Sequence, residues 1–159
     1  MKALTHYIFS IGIGVLLCER LGHFSFIDVV LVVWLGLAVN AVIDVFGHGI
    51  RGGVGNRSFL THSVFTAPLW GGAVAVLSVY VPVKFQIFPI SLWEAAFVVG
   101  MGVVVAYSHL FLDALTEGGV FWGKRRIALA HMRYNNRILN GAFLVIGAFF
   151  TLAAFLPIA

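Results

Sequence analysis

The stretch LWEAAFVVGMGVVVAYSHLFLDAL, Leu92–Leu115, decides the fold. It holds no lysine or arginine, one glutamate near its start and one aspartate near its end. Its apolar residues lack the strict alternation of a barrel strand, so it reads as a helix. A run of about 20 apolar residues carries a helix across a bilayer core of about 30 Å. Glu94 in the first turn suits the positive end of the helix dipole. At the other end His109 and Asp113 are four residues apart, a step that returns to nearly the same helix face.

Four more apolar stretches accompany it, from about Leu4 to Leu17, Val29 to Phe46, His62 to Val81 and Ile138 to Ile158. The third carries Pro68 in its first two turns, where proline is tolerated. The expectation is an all-α, multi-pass integral membrane protein, with about five transmembrane helices in a single bundle spanning residues 1–159. Composition points the same way: 61% of residues are hydrophobic and 10% charged, with a mean hydropathy of +1.03. Soluble domains carry about 25% charged residues, and a soluble surface cannot be built from so few. A chain of 159 residues has room for one such domain. Met1-Lys2 and the apolar run after it resemble a secretion signal. The run ends Leu16-Leu17-Cys18-Glu19-Arg20, without a small-residue cleavage site, so it is read as a membrane helix. Cys18, the single cysteine, excludes an intrachain disulfide.

The formal net charge of +4 is read as topology, not as nucleic-acid binding. With five spans, the N-terminus, connector 47–61 and connector 116–137 share one side. That side holds Lys2, Arg51, Arg57, Lys124, Arg125, Arg126, Arg133 and Arg137; the other holds Arg20 and Lys84. The positive-inside rule then puts the N-terminus in the cytoplasm of a cell-membrane protein.

Ionisable groups within spans are costly in hydrocarbon and are functional candidates by default. Asp44 and His48 are four apart at the end of the second stretch, as His109 and Asp113 are in the fourth, with Asn40 and Thr116 extending the two stripes. His62 opens the third stretch, with Thr61 or Ser58 as its N-cap, and His6 opens the first. Helices of alternating direction thus send His6, Asp44, His48, His62, His109 and Asp113 to one membrane face. Imidazole and carboxylate together suit a divalent metal, with zinc first and manganese or iron as alternatives. Six donors exceed what one tetrahedral zinc needs, so some are expected to orient the ligands or to hold a second ion. Arg57, in a glycine-rich connector containing Gly47, Gly49, Gly52, Gly53 and Gly55, is expected to clamp a phosphate or carboxylate. Asp44, Asp113 and Arg57 form the candidate catalytic set.

These residues resemble the family of membrane-bound metal-dependent hydrolases, which includes a LexA-regulated inner-membrane bacterial protein and small archaeal proteins of unknown function. The matching pieces are Thr5-His6, Asp44 with His48, Arg57 with Thr61-His62-Ser63, and Ser108-His109-x-x-x-Asp113-x-x-Thr116-x-x-Gly119. The resemblance covers most of the first 120 residues. It implies a multi-pass fold and a metal site at the six donors. The expectation drawn from the residues is a metal-dependent hydrolase at the cytoplasmic membrane face, with Arg57 holding the anionic group of a phosphate-containing or lipid-linked substrate. Where the family reads Pro-Asp-x-Asp, this chain reads Val42-Ile43-Asp44-Val45-Phe46, with Phe46 at the second acidic position.

Two other readings remain open from sequence. A metal-ion or proton transporter predicts polar residues through the whole bilayer depth. A non-catalytic membrane protein predicts a polar cluster that only fixes helix packing, with Asp44 or Asp113 paired to Arg57 or Arg51. His23 and His131 read as surface groups; Glu117, four past Asp113, reads equally as a surface group or as reaching the site. Lys124, Arg125 and Arg126 read as an anchor to anionic headgroups. Gly12, Gly14, Gly100 and Gly102 read as small-residue packing surfaces.

Overall fold

Serine caps set where the two longest helices begin. Ser25 Oγ accepts from the Asp28 N–H, and Asp28 Oδ2 accepts from the Ser25 N–H at 3.0 Å. Ser91 and Glu94 repeat this reciprocal pattern. Each satisfies N–H groups that a helix leaves without partners in its first turn. The computed structural model describes residues 1–51 and 54–156, and the side chains of these apart from residues 50, 51 and 54–56. Gly52, Gly53 and the end of the fifth apolar stretch at Ile158 lie outside the described residues.

The element order is α1 (Ala3–Arg20), α2 (Phe26–Gly47), β1 (His48–Arg51), β2 (Val54–Arg57), α3 (Phe59–His62), α4 (Ala67–Lys84), α5 (Leu92–Ala114), β3 (Val120–Trp122), β4 (Arg125–Ile127) and α6 (Arg137–Ala153). The chain is mostly helical. Three helices, α2, α4 and α5, are long and apolar enough to cross a membrane. α1 ends in Glu19-Arg20, and α6 has 17 residues.

Two features depart from the all-α expectation. The connectors read as loops contain antiparallel hairpins, β1 with β2 and β3 with β4. The third apolar stretch is also not one helix. α3 stops at His62, Ser63 is extended, and α4 starts at Ala67 with Pro68 in its first turn, where the missing N–H removes no bond. The break is held by β3, because the Val64 N–H donates to the Phe121 carbonyl at 3.0 Å. Ser58, not Thr61, caps α3.

Helices pack here through small residues. A Cβ on Gly102 would strike the Gly71 carbonyl, with Ala75 and Ala106 beside the same contact, so α4 and α5 touch backbone to backbone. α1 and α6 do the same at Gly12 and Gly147. Lipid tails are as apolar as leucine, so close van der Waals contact is what holds membrane helices together. Gly100 faces open space and takes no part. Val15, Val32, Leu35, Val39, Ile43 and Val105 fill the centre. The outer surface is apolar too: Phe26, Leu92 and Ile138 are 84, 88 and 85% exposed, a pattern that suits lipid and not water.

Two polar contacts tie elements together within this apolar frame. Ser10 and Ser108 hydroxyls meet at 2.6 Å between α1 and α5. Asn140 of α6 accepts from the Thr5 hydroxyl at 2.7 Å and from the Lys2 N–H at 3.0 Å. Gly102→Leu forces α4 from α5 and should destabilise the purified protein by about 1–3 kcal/mol. Gly100→Leu should cost little; thermal melting of both variants in detergent checks the contrast.

Candidate metal centre

The site is assembled where α1 begins and where α2, α3 and α5 end. The first helical turns of α1 supply His6, the last turn of α2 supplies Asp44, and His48 caps that helix as the first residue of β1. α3 presents His62 as its last residue, and the end of α5 supplies His109 and Asp113 one turn apart. In the β1–β2 register His48 lies opposite Arg57, so the hairpin returns the chain to the site with an arginine.

Asp113 is the centre. Its side chain is 1% exposed. Oδ1 receives Arg57 Nη2 at 2.6 Å and the Met1 amine at 3.0 Å, with His6 Nε2 at 3.3 Å. Oδ2 faces His109 Nε2 at 3.3 Å and His62 Nε2 at 3.4 Å. Asp44 Oδ1 lies 3.4 Å from His48 Nδ1 and 3.6 Å from His109 Nε2. The His6 ring stacks on that of His109 at 4.0 Å, and the His62 ring stands edge-on to both His109 and His48.

Two further groups fix how these side chains point. The Asn40 amide nitrogen donates to the Gly36 carbonyl at 2.6 Å, which leaves Asn40 Oδ1 to accept from His109 Nδ1 at 2.7 Å. His109 Nδ1 is therefore the donor to Asn40, and Nε2 faces the site. Thr61 Oγ1 bonds His62 Nδ1 at 2.9 Å, turning Nε2 inward. Burial disfavours the charged form of the His62 imidazole, against the opposing pull of Asp113. Neutral imidazole is the form that binds metal.

Among the described residues, His62 Nε2, His109 Nε2 and Asp113 Oδ2 are buried without a hydrogen-bond partner. These atoms lie 3.3–3.4 Å apart across Asp113 Oδ2, and unpaired buried polar groups cost about 1–3 kcal/mol each, a penalty that a cation among them would remove. Ligands at 2.0–2.1 Å from a tetrahedral ion sit about 3.3–3.4 Å from one another, which matches these separations. The residues present thus fit a divalent ion held by nitrogen and oxygen donors. The donors form two sets, His6, His109 and Asp113, and Asp44, His48 and His62, each with ligand atoms within 4.8 Å of one another.

All six donors expected from sequence converge here, together with Arg57. The arginine is engaged more fully than a substrate clamp would be. Besides Asp113 Oδ1, its guanidinium donates to the Gly119 carbonyl at 2.7 Å and to Thr116 Oγ1 at 3.3 Å. Burial lowers its proton affinity and Asp113 opposes the shift, so it remains a cation. Gly118 leaves room for it, since a Cβ there would strike the guanidinium. The Arg51 side chain lies outside those described. Phe46, two residues after Asp44, is exposed and stacks on Trp70. Glu117 is exposed, and Lys124 and Arg125 are exposed around the β3–β4 turn.

Sequence reading did not reach Asn140, which pins the start of α1 beside His6, nor Gly118. A lone asparagine three residues into an apolar helix was the available signal for the first, and Gly118-Gly119 beside the Thr116 motif for the second.

The burial is graded. His6, His62, His109 and Asp113 side chains are 0–2% exposed, whereas Asp44 is 24% and His48 46% exposed. Asp44 and His48 therefore mark the open side. Arg57→Met leaves a buried carboxylate without its nearest cation and should cost about 3–5 kcal/mol. Adding Asp113→Asn should recover part of that loss; a double-mutant cycle read by thermal melting measures the coupling.

No curated protein and no solved structure matches the chain. A family model described as "Protein of unknown function (DUF1286)" matches residues 1–112. That span holds His6, Asp44, His48, Arg57, His62 and His109 and stops one residue short of Asp113. With most of its length matched, the chain belongs to the DUF1286 family.

Proposed function

We propose that this protein is a membrane-bound metal-dependent hydrolase acting at the cytoplasmic membrane face on a phosphate-containing, lipid-linked substrate. The observation that carries this is the trio of buried, partnerless, converging atoms His62 Nε2, His109 Nε2 and Asp113 Oδ2. In this reading α1, α2, α4, α5 and α6 all span the membrane and the N-terminus is cytoplasmic. The excess of cations on the site's end of the bundle supports that orientation. The resemblance of the Thr61-His62 and Ser108-His109-x-x-x-Asp113 segments to membrane-bound metal-dependent hydrolases supports the chemistry.

A divalent ion, zinc first and manganese or iron as alternatives, supplies Lewis acidity and lowers the pKa of bound water towards about 7. Arg57 acts through Asp113. It holds Oδ1 and so keeps Oδ2 turned towards the two histidines. Asn40 holds His109 in the tautomer that leaves Nε2 bare. Asp44, the carboxylate on the open side, is placed to take a proton from attacking water.

A lipid-linked substrate is supported by a groove of about 840 Å³ between α2 and α4. Phe26, Val30, Trp34, Leu77 and Val81 line it, and it reaches Ala41 and Val42, beside the turn that carries Asp44. An acyl chain lying there would bring its headgroup to the open side of the site. A transport path is less well supported. Among the described residues, the buried centre beyond Ser10 and Ser108 is Val15, Val32, Leu35, Val98 and Met101, without a ladder of polar groups.

The purified protein should contain near-stoichiometric transition metal and release phosphate from phosphatidic acid in mixed micelles. His62→Ala and Asp113→Ala should lose the metal and reduce the rate at least about a hundredfold. Chelation should stop the reaction and added metal restore it. A folded protein free of metal, able to take none up, overturns the proposal. Full metal loading without hydrolysis of any phosphate ester reduces the site to a structural one.

A further inference from the structure

The centre holds more ligands than one ion uses. A catalytic zinc takes three protein ligands and keeps a position open. Here six donors fall into two sets of three that share no residue. If the His6, His109 and Asp113 set holds one ion, Asp44, His48 and His62 remain beside it with donor atoms already gathered within 4.8 Å. The sets also interlock. His62 Nε2 of the second lies 3.4 Å from Asp113 Oδ2 of the first, and His109 Nε2 of the first lies 3.6 Å from Asp44 Oδ1 of the second.

We infer that the site is dinuclear: one ion is held by His6, His109 and Asp113, a second by Asp44, His48 and His62, and Asp113 Oδ2 faces both. This rests on the metal-dependent reading above and adds the number of ions and their division of labour. The orphaned Asp113 Oδ2 sits between histidines of the two sets, as a bridging carboxylate oxygen does. Oδ1 cannot take that place, because Arg57 occupies it. The second ion lies on the open side, where Asp44 and His48 are partly exposed, and so meets the substrate first. Asp44 binds through Oδ1 and keeps its other oxygen for proton transfer. Two ions about 3.5–4 Å apart can stabilise both the attacking and the leaving oxygen of an in-line displacement, chemistry that fits the phosphate ester of the reading above.

Full-length protein stripped of metal and titrated with Mn²⁺ tests this without any substrate. Wild type should bind two Mn²⁺ per chain and show the electron paramagnetic resonance spectrum of an exchange-coupled pair. His48→Ala, on the exposed side, should bind one and show the spectrum of an isolated ion, while His131→Ala should keep the coupled pair. One Mn²⁺ per wild-type chain, uncoupled, overturns the dinuclear site and leaves the hydrolase reading standing. Two uncoupled ions or no bound Mn²⁺ overturn it as well, and the hydrolase reading falls too if the same protein takes up neither Zn²⁺ nor Fe²⁺. Because the wild-type count and spectrum suffice, a variant that fails to fold does not blunt the test.

Discussion

A carboxylate buried at the end of an apolar helix bundle is the constraint on which the rest of this structure turns. Asp113 is shielded from water, and an isolated charge there would be too costly to keep. Arg57 answers it from 56 residues away at 2.6 Å. That reach requires the hairpin, which brings Arg57 back opposite His48, and it requires the space at Gly118. The ion pair neutralises one oxygen and leaves the other facing two imidazole nitrogens.

The helix framework serves that arrangement. Glycine contacts between α4 and α5, and between α1 and α6, let backbones approach closely enough for several helix ends to share one small volume. Deeper in the bundle, valines, leucines and Met101 interdigitate and hold those ends in register. The interruption after His62 has the same logic. A helix continuing from α3 into α4 would not leave the Val64 N–H for β3, and β3 belongs to the segment that covers Arg57 with the Gly119 carbonyl.

Exposure is graded across the site: His6, His62, His109 and Asp113 are buried, while Asp44 and His48, on the open side, are partly exposed. An apolar groove between α2 and α4 leads towards that side.

Much of this was legible in the chain itself. Apolar runs of about 20 residues without alternation read as helices, because strands of that length are rare and a helix bonds its own backbone groups. Four-residue spacing put Asp44 with His48 and His109 with Asp113 on single faces, and alternating helix directions brought the donors to one end. Periodicity could not reveal the two hairpins, because short glycine-rich and basic segments take their pairing from what they pack against. Nor could it tell that Arg57 would be consumed by Asp113, that Asn140 would pin the start of α1, or which oxygen and which nitrogen would be left bare. Those outcomes depend on distances between residues far apart in sequence. Local spacing sets the face of a helix, but only packing sets what that face meets.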